Sequence, residues 1–104
     1  MSTAAASKKP IFLWKLEPLE IPLGECIKLQ TKVTLNDDGS LPEIEWQKDG
    51  EAPPETSRAT ASADGCLELR VPKARIQDAG LYRVLARNEC GQAETSSAVT
   101  VLCR

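Results

Sequence analysis

The chain has 104 residues, of which 41% are apolar and 27% charged, and its formal net charge is −2. That length suits one hydrophobic core and argues against two. The charges are mixed in sign, so there is none of the concentrated lysine and arginine that a phosphate-binding surface needs, and nucleic acid is not expected as a partner. Histidine is absent, which removes imidazole acid–base chemistry and imidazole metal ligation.

Residues 1–9 are small and polar without periodicity and are predicted to be a flexible leader, with a single domain over 10–104. The opening "MSTAAASKKPIFLWKL" has no charged segment followed by an apolar one, and no run approaches the length of a membrane helix, so neither secretion nor membrane contact is expected. In "IFLWKLEPLEIPLGE" the apolar run is broken at Pro18 and Pro22, as in an edge strand that stops and resumes. Two-residue alternation from Ile11, Leu13 and Lys15 does not settle which face Trp14 occupies. If exposed, it is an aromatic interface anchor beside an edge; otherwise it folds over the sandwich edge and covers the core.

"CIKLQTKVTL" alternates, with Ile27, Leu29, Thr31 and Val33 on one face and lysines and glutamine on the other. "NDDGSLP" is turn-rich. "EIEWQKDG" is a second alternating strand with Ile44 and Trp46 inward, closed by the turn signal Asp49-Gly50. Adjacent prolines make "EAPPETS" a loop or frayed edge. "CLELRV" points Leu67, Leu69 and Val71 inward, and "LYRVLARN" points Tyr82, Val84 and Ala86 inward. In the last strand, "AETSSAVTVLC", we place Ala98, Thr100 and Leu102 on one face and Val99 and Val101 on the other, where an added partner strand could meet them. Thr95, Ser96 and Ser97 discourage such pairing.

No long amphipathic helix is predicted, and several short alternating strands separated by turns imply an all-β sandwich or barrel. The cysteines, Cys26, Cys66, Cys90 and Cys103, are scattered without a C-x-x-C pair, so zinc is not expected. Glu43, Glu45 and the pair Asp37-Asp38 lack the spacing of an EF-hand loop and are read as a solvated acidic face. No nucleophile, base and orienter can be assembled, so neither catalysis, a cofactor nor a small-molecule substrate is expected.

Three motifs occur in order. They are "P-x-F-x-x-x-L-x-P" at Pro10, Phe12, Leu16 and Pro18; "W-x-K-D-G" at Trp46, Lys48, Asp49 and Gly50; and "D-A-G-x-Y-x-x-x-A-x-N-x-x-G" from Asp78 through Tyr82 to Gly91. Over residues 10–102 the chain resembles the immunoglobulin I-set domains of giant muscle and cytoskeletal proteins. The resemblance implies a two-sheet Greek-key sandwich whose two bridge-cysteine positions are Thr31 and Val84, so the inter-sheet disulfide is missing. Such a bridge is worth about 4 kcal/mol on the chain-entropy model. In a reducing cytosol it would not persist, and Thr31 and Val84 packed on Trp46 would replace it, with the Thr31 hydroxyl donating to a nearby carbonyl. The remaining cysteines are then incidental thiols, with Cys26 and Cys103 the one candidate pair at a shared pole.

The resemblance also implies a tyrosine corner at Tyr82, bonding back toward Asp78, and an ion pair between Arg58 and Asp78 closing the bottom of the sandwich. Leu69 belongs to the implied core. The implied function is a non-enzymatic, cytoplasmic spacer and docking module of a sarcomeric or cytoskeletal scaffold. It would bind other proteins, another immunoglobulin-like domain among them, through an edge strand and Trp14. The alternative is a ligand-recognition module of a cell-surface receptor, against which the absence of cysteine at 31 and 84 argues.

Overall fold

The computed structural model describes residues 9–102. The leader predicted over 1–9 therefore lies outside the described residues except for Lys9, and so does Cys103 of the candidate pair. Cys26, the other member of that pair, is a free thiol, as is Cys66.

Eight strands follow in chain order: β1 (Phe12–Trp14), β2 (Leu19–Pro22), β3 (Ile27–Val33), β4 (Glu43–Lys48), β5 (Arg58–Ala61), β6 (Cys66–Val71), β7 (Gly80–Asn88) and β8 (Gly91–Leu102). A single turn of 3-10 helix, Ile76–Asp78, precedes β7. The strands form two four-stranded sheets, β1-β3-β6-β5 and β2-β8-β7-β4. The interrupted first strand thus contributes one piece to each sheet, antiparallel to β3 in one and parallel to β8 in the other. Pro18 lies in the crossing segment and Pro22 ends β2, where a missing ladder donor is tolerated.

The alternation in β3, β6 and β7 translates directly into burial. Ile27, Leu29, Val33, Leu67, Leu69 and Val71 fill the core from one sheet, and Trp46, Tyr82, Val84 and Ala86 fill it from the other. Each such aliphatic side chain contributes about 1.5–3 kcal/mol by leaving water. Thr31 and Val84 are both fully buried, one in each sheet, and Val84 lies opposite Trp46 in the ladder.

Tyr82 is buried and its hydroxyl donates to the carbonyl of Asp78 at 2.6 Å. Burial pushes its ionisation well above the ordinary tyrosine value, with the charges of Asp78 and Asp49 adding to the shift. The "K-D-G" and "D-A-G" motifs, distant in sequence, meet in space. Asp49, at φ +54, accepts from the backbone N–H of Leu81 at 2.9 Å. Its carboxylate occupies the room left by the missing side chain of Gly80, where a Cβ would lie 2.6 Å from Asp49 Oδ2.

Two expectations are corrected. The partner of Asp78 is Arg75, not Arg58. The 3-10 turn folds the carboxylate back so that it accepts from the Arg75 backbone N–H at 2.9 Å and from its guanidinium at 3.2 Å. Asp78 is 1% exposed, whereas Arg58 sits on the exposed strand β5, opposite Arg70. The second correction is the phase of β8. Directly opposed residues share a face, and the inward Tyr82 and Val84 oppose Ser97 and Thr95. Val99 and Val101 therefore face the core, Val99 at 2% exposure, while Ala98, Thr100 and Leu102 face solvent.

Candidate docking surface

Strand β1 pairs with β3 through a β-bulge: Phe12 opposes Val33, but Trp14 opposes Lys32. The extra residue, Leu13, breaks the two-residue alternation. Phe12 and Leu16 pack toward the core, while Trp14, at the same parity, turns outward and is 52% exposed. The bulge answers the question that alternation left open. Ile11 and Leu13, 55% and 54% exposed, extend the apolar surface along the same edge.

Two contacts hold the Trp14 region. Its backbone carbonyl accepts from the buried Thr31 hydroxyl. The ammonium of Lys32 lies 5.9 Å from the indole centroid, at the outer range of a cation–π contact. A groove of about 300 Å³ runs on one side of the ring toward Lys28 and Leu19. Another of about 430 Å³ lies on the other side, between Trp14 and Thr60, with Cys66 and Glu68 along it.

The edge of β8 is less open than expected. Beside Val99 and Val101 it is covered by β2, since Leu19 opposes Val99 and Ile21 opposes Val101. With their side chains inward and their flank paired, these valines are not available to an added strand. Farther upstream, the Thr95 hydroxyl accepts from the backbone N–H of Leu16 at 3.1 Å, and a hollow of about 480 Å³ lies between Ile11 and Ser96.

Several acidic residues are engaged singly. Glu45 pairs with Arg87 at 2.6 Å. Hydrogen bonds from the Ser40 hydroxyl and backbone hold the Asp38 carboxyl below its ordinary value, and the Ser62 hydroxyl foremost does the same for Asp64. Among the described residues no group of three or more His, Cys, Asp or Glu side chains gathers as a metal site would require. Sequence reasoning singled out Trp14 but missed Ile11, Leu13 and Lys32. The signal for them is the bulge, which pattern alone does not disclose.

The Immunoglobulin I-set domain model matches residues 10–101. The muscle M-line assembly protein unc-89 of Caenorhabditis elegans is 36% identical over 98 residues, covering 92% of this chain and 1% of the relative. Titin of Drosophila melanogaster is 32% identical over 96 residues, again covering 92% of this chain. The chain thus spans a very small part of these relatives. Among solved structures, a chain of the titin M10–obscurin-like 1 Ig complex superposes with a TM-score of 0.82 at 32% identity, covering 95% of this chain and 98% of that one. Titin domain M7 superposes with a TM-score of 0.84 at 24% identity, covering 95% and 99%.

Proposed function

Because this chain belongs to the immunoglobulin I-set family, we propose that it is a non-enzymatic spacer and protein-docking module of a muscle or cytoskeletal scaffold. The observation that carries the docking reading is the outward Trp14, 52% exposed on an edge strand and flanked by exposed Ile11 and Leu13. Aromatic side chains so placed anchor interfaces because they bury a large area for few rotatable bonds. The contact surface in this reading is the β1 edge, and Val99 and Val101 have no part in it. The partner is another protein, with another immunoglobulin-like domain as one candidate. The similarity to an M-line assembly protein and to titin supports a sarcomeric setting in the cytoplasm. The solved complex of titin M10 with an obscurin-like 1 Ig domain supports direct protein contacts by domains of this kind.

The test compares the wild-type domain with Trp14→Glu in capture from striated-muscle lysate, followed by calorimetry with each purified captured protein. A sarcomeric partner whose direct binding is lost in a variant with unchanged circular dichroism supports the reading. Equal binding by both forms removes Trp14 from the contact.

A further inference from the structure

The outer face of the β1-β3-β6-β5 sheet carries an arrangement that stability alone does not favour. Ladder pairs share a face, and two successive pairings place Lys28 opposite Arg70 and Arg70 opposite Arg58. Three cations therefore stand side by side across three neighbouring strands, although like charges directly opposite one another destabilise a sheet. Among the ladder positions of β3, β6 and β5 the one outward carboxylate is Glu68, which sits in the adjacent row and is held by Gln30 at 3.2 Å and Arg70 at 3.3 Å, while Glu17 borders the face along the Lys28 groove. Among the described residues no ion pair involves Lys28 or Arg58, and both side chains are exposed. With Lys32 included, the ladder positions of β3, β6 and β5 turn four cations outward against one carboxylate, with Lys15 and Glu17 adding one charge of each sign at the border, in a chain whose net charge is −2.

The opposite end of the face has a different chemistry. Trp14 stands over the Lys32–Cys66 row, beside the groove bounded by Thr60 and Ser62. Asp64 lies just beyond, close enough to feel the charge of Lys32. That end offers an apolar wall, and its one cation, Lys32, already faces Trp14 and Asp64, whereas the far end is a row of three cations. From the Lys32 row to the Lys28 row is four residues, or about 13 Å of strand.

We propose that this face binds an extended, carboxylate-rich segment of a partner protein. A bulky apolar residue of that segment packs against Trp14, and acidic residues beginning four positions away meet Lys28, Arg70 and Arg58. An extended chain presents residues i and i+4 on one side, which matches the distance between the two features. The cationic row runs across the strands and is about 10 Å wide at the usual strand spacing, so the carboxylates at i+4 and i+6, which share a side, are the ones that face it. The proposal rests on the reading of Trp14 as a docking anchor and adds the chemical class of what docks there.

The experiment is fluorescence anisotropy on the 104-residue chain with a labelled seven-residue peptide, leucine first and glutamates at its last three positions. A matched peptide carries glutamine in place of glutamate. The expected result is binding of the glutamate peptide that weakens as salt rises from about 50 to 300 mM, because exposed charges are screened over that range. Replacing glutamate by glutamine, or introducing Lys28→Glu with Arg58→Glu, should each weaken binding by about tenfold or more. Trp14→Ala should weaken it several-fold, with thermal melts confirming that the variants fold.

Equal affinity for the two peptides, or undiminished binding by the Lys28→Glu/Arg58→Glu variant, overturns the proposal. Binding to phosphatidylserine vesicles or to a single-stranded oligonucleotide but not to the peptide also overturns it, by assigning the row to phosphate. Failure here is distinguishable from failure of the docking reading. If a captured partner is lost with Trp14→Glu but retained by the Lys28→Glu/Arg58→Glu variant, docking stands and the acidic segment falls. If Trp14→Glu retains every partner, the docking reading itself falls.

Discussion

The hydroxyl of Thr31 donates to the backbone carbonyl of Trp14. This joins the residue that the resemblance sets at a bridge-cysteine position to the residue that the bulge turns outward. A valine would match the size of Thr31 without strain, but it would leave that carbonyl without its donor. We expect Thr31→Val to lower stability by about 1 kcal/mol, seen as a lower urea midpoint at unchanged slope. No loss would mean that water serves the carbonyl equally well.

Asp78 and its arginines give a test that separates the two pairings. Arg75→Ala removes the guanidinium that meets the buried carboxylate, whereas Arg58→Ala removes a side chain without an ion pair among the described residues. The urea midpoint should fall for Arg75→Ala and hold for Arg58→Ala, because the buried Asp78 carboxylate then loses the half-exposed guanidinium that meets it. The reverse order would restore the Arg58–Asp78 pairing.

Gly80→Ala should destabilise by about 1–3 kcal/mol, since φ is +156 and the new Cβ would meet the Asp49 carboxylate at 2.6 Å. Part of this is contact rather than backbone strain. The same substitution should therefore cost less in an Asp49→Gly background, measured as a double-mutant cycle in urea.

Stability against pH follows from groups at both ends of the scale. Tyr82 has a raised folded value caused first by burial. Its contribution is full below the unfolded value of about 10 and is lost as pH rises through the folded value. Asp38, Asp49 and Asp64 are lowered by hydrogen bonds, from Ser40, Leu81 and Ser62 respectively. Their contribution is present above the ordinary carboxylate range and is lost as pH falls through their folded values. The melting temperature should therefore be level near neutrality, decline below about pH 4 and decline again above about pH 10. Tyr82→Phe should flatten the alkaline limb while lowering the neutral plateau, because the Asp78 carbonyl loses its donor.

Strands with strongly contrasting faces are legible from their residues alone. In β3 the aliphatic residues and Thr31 alternate with lysines and Gln30, and its burial follows the same order. Strand β8 is not legible in this way, because Ala, Thr and Leu alternate with two valines and either phase buries apolar groups. Only the opposition of Ser97 to Tyr82 decides it. Trp14 stays ambiguous in the sequence because a bulge shifts parity without leaving a mark in composition. Arg58 draws attention as a distant partner for Asp78, while the short 3-10 turn supplies a local one in Arg75. The cationic row depends on register across three strands, and such information is non-local.

Strand β8 lies late in the chain and is the central seam of its sheet, with β7 along one side and β2, from near the start, along the other. Synthesis from the N-terminus therefore delivers the seam last. Until β8 has left the ribosome, β2 and β7 have no shared neighbour, and their unpaired edges are open to any other strand nearby. The domain closes only when its late strand arrives between two waiting edges, so its sheet is completed when β8 emerges and not when β7 does.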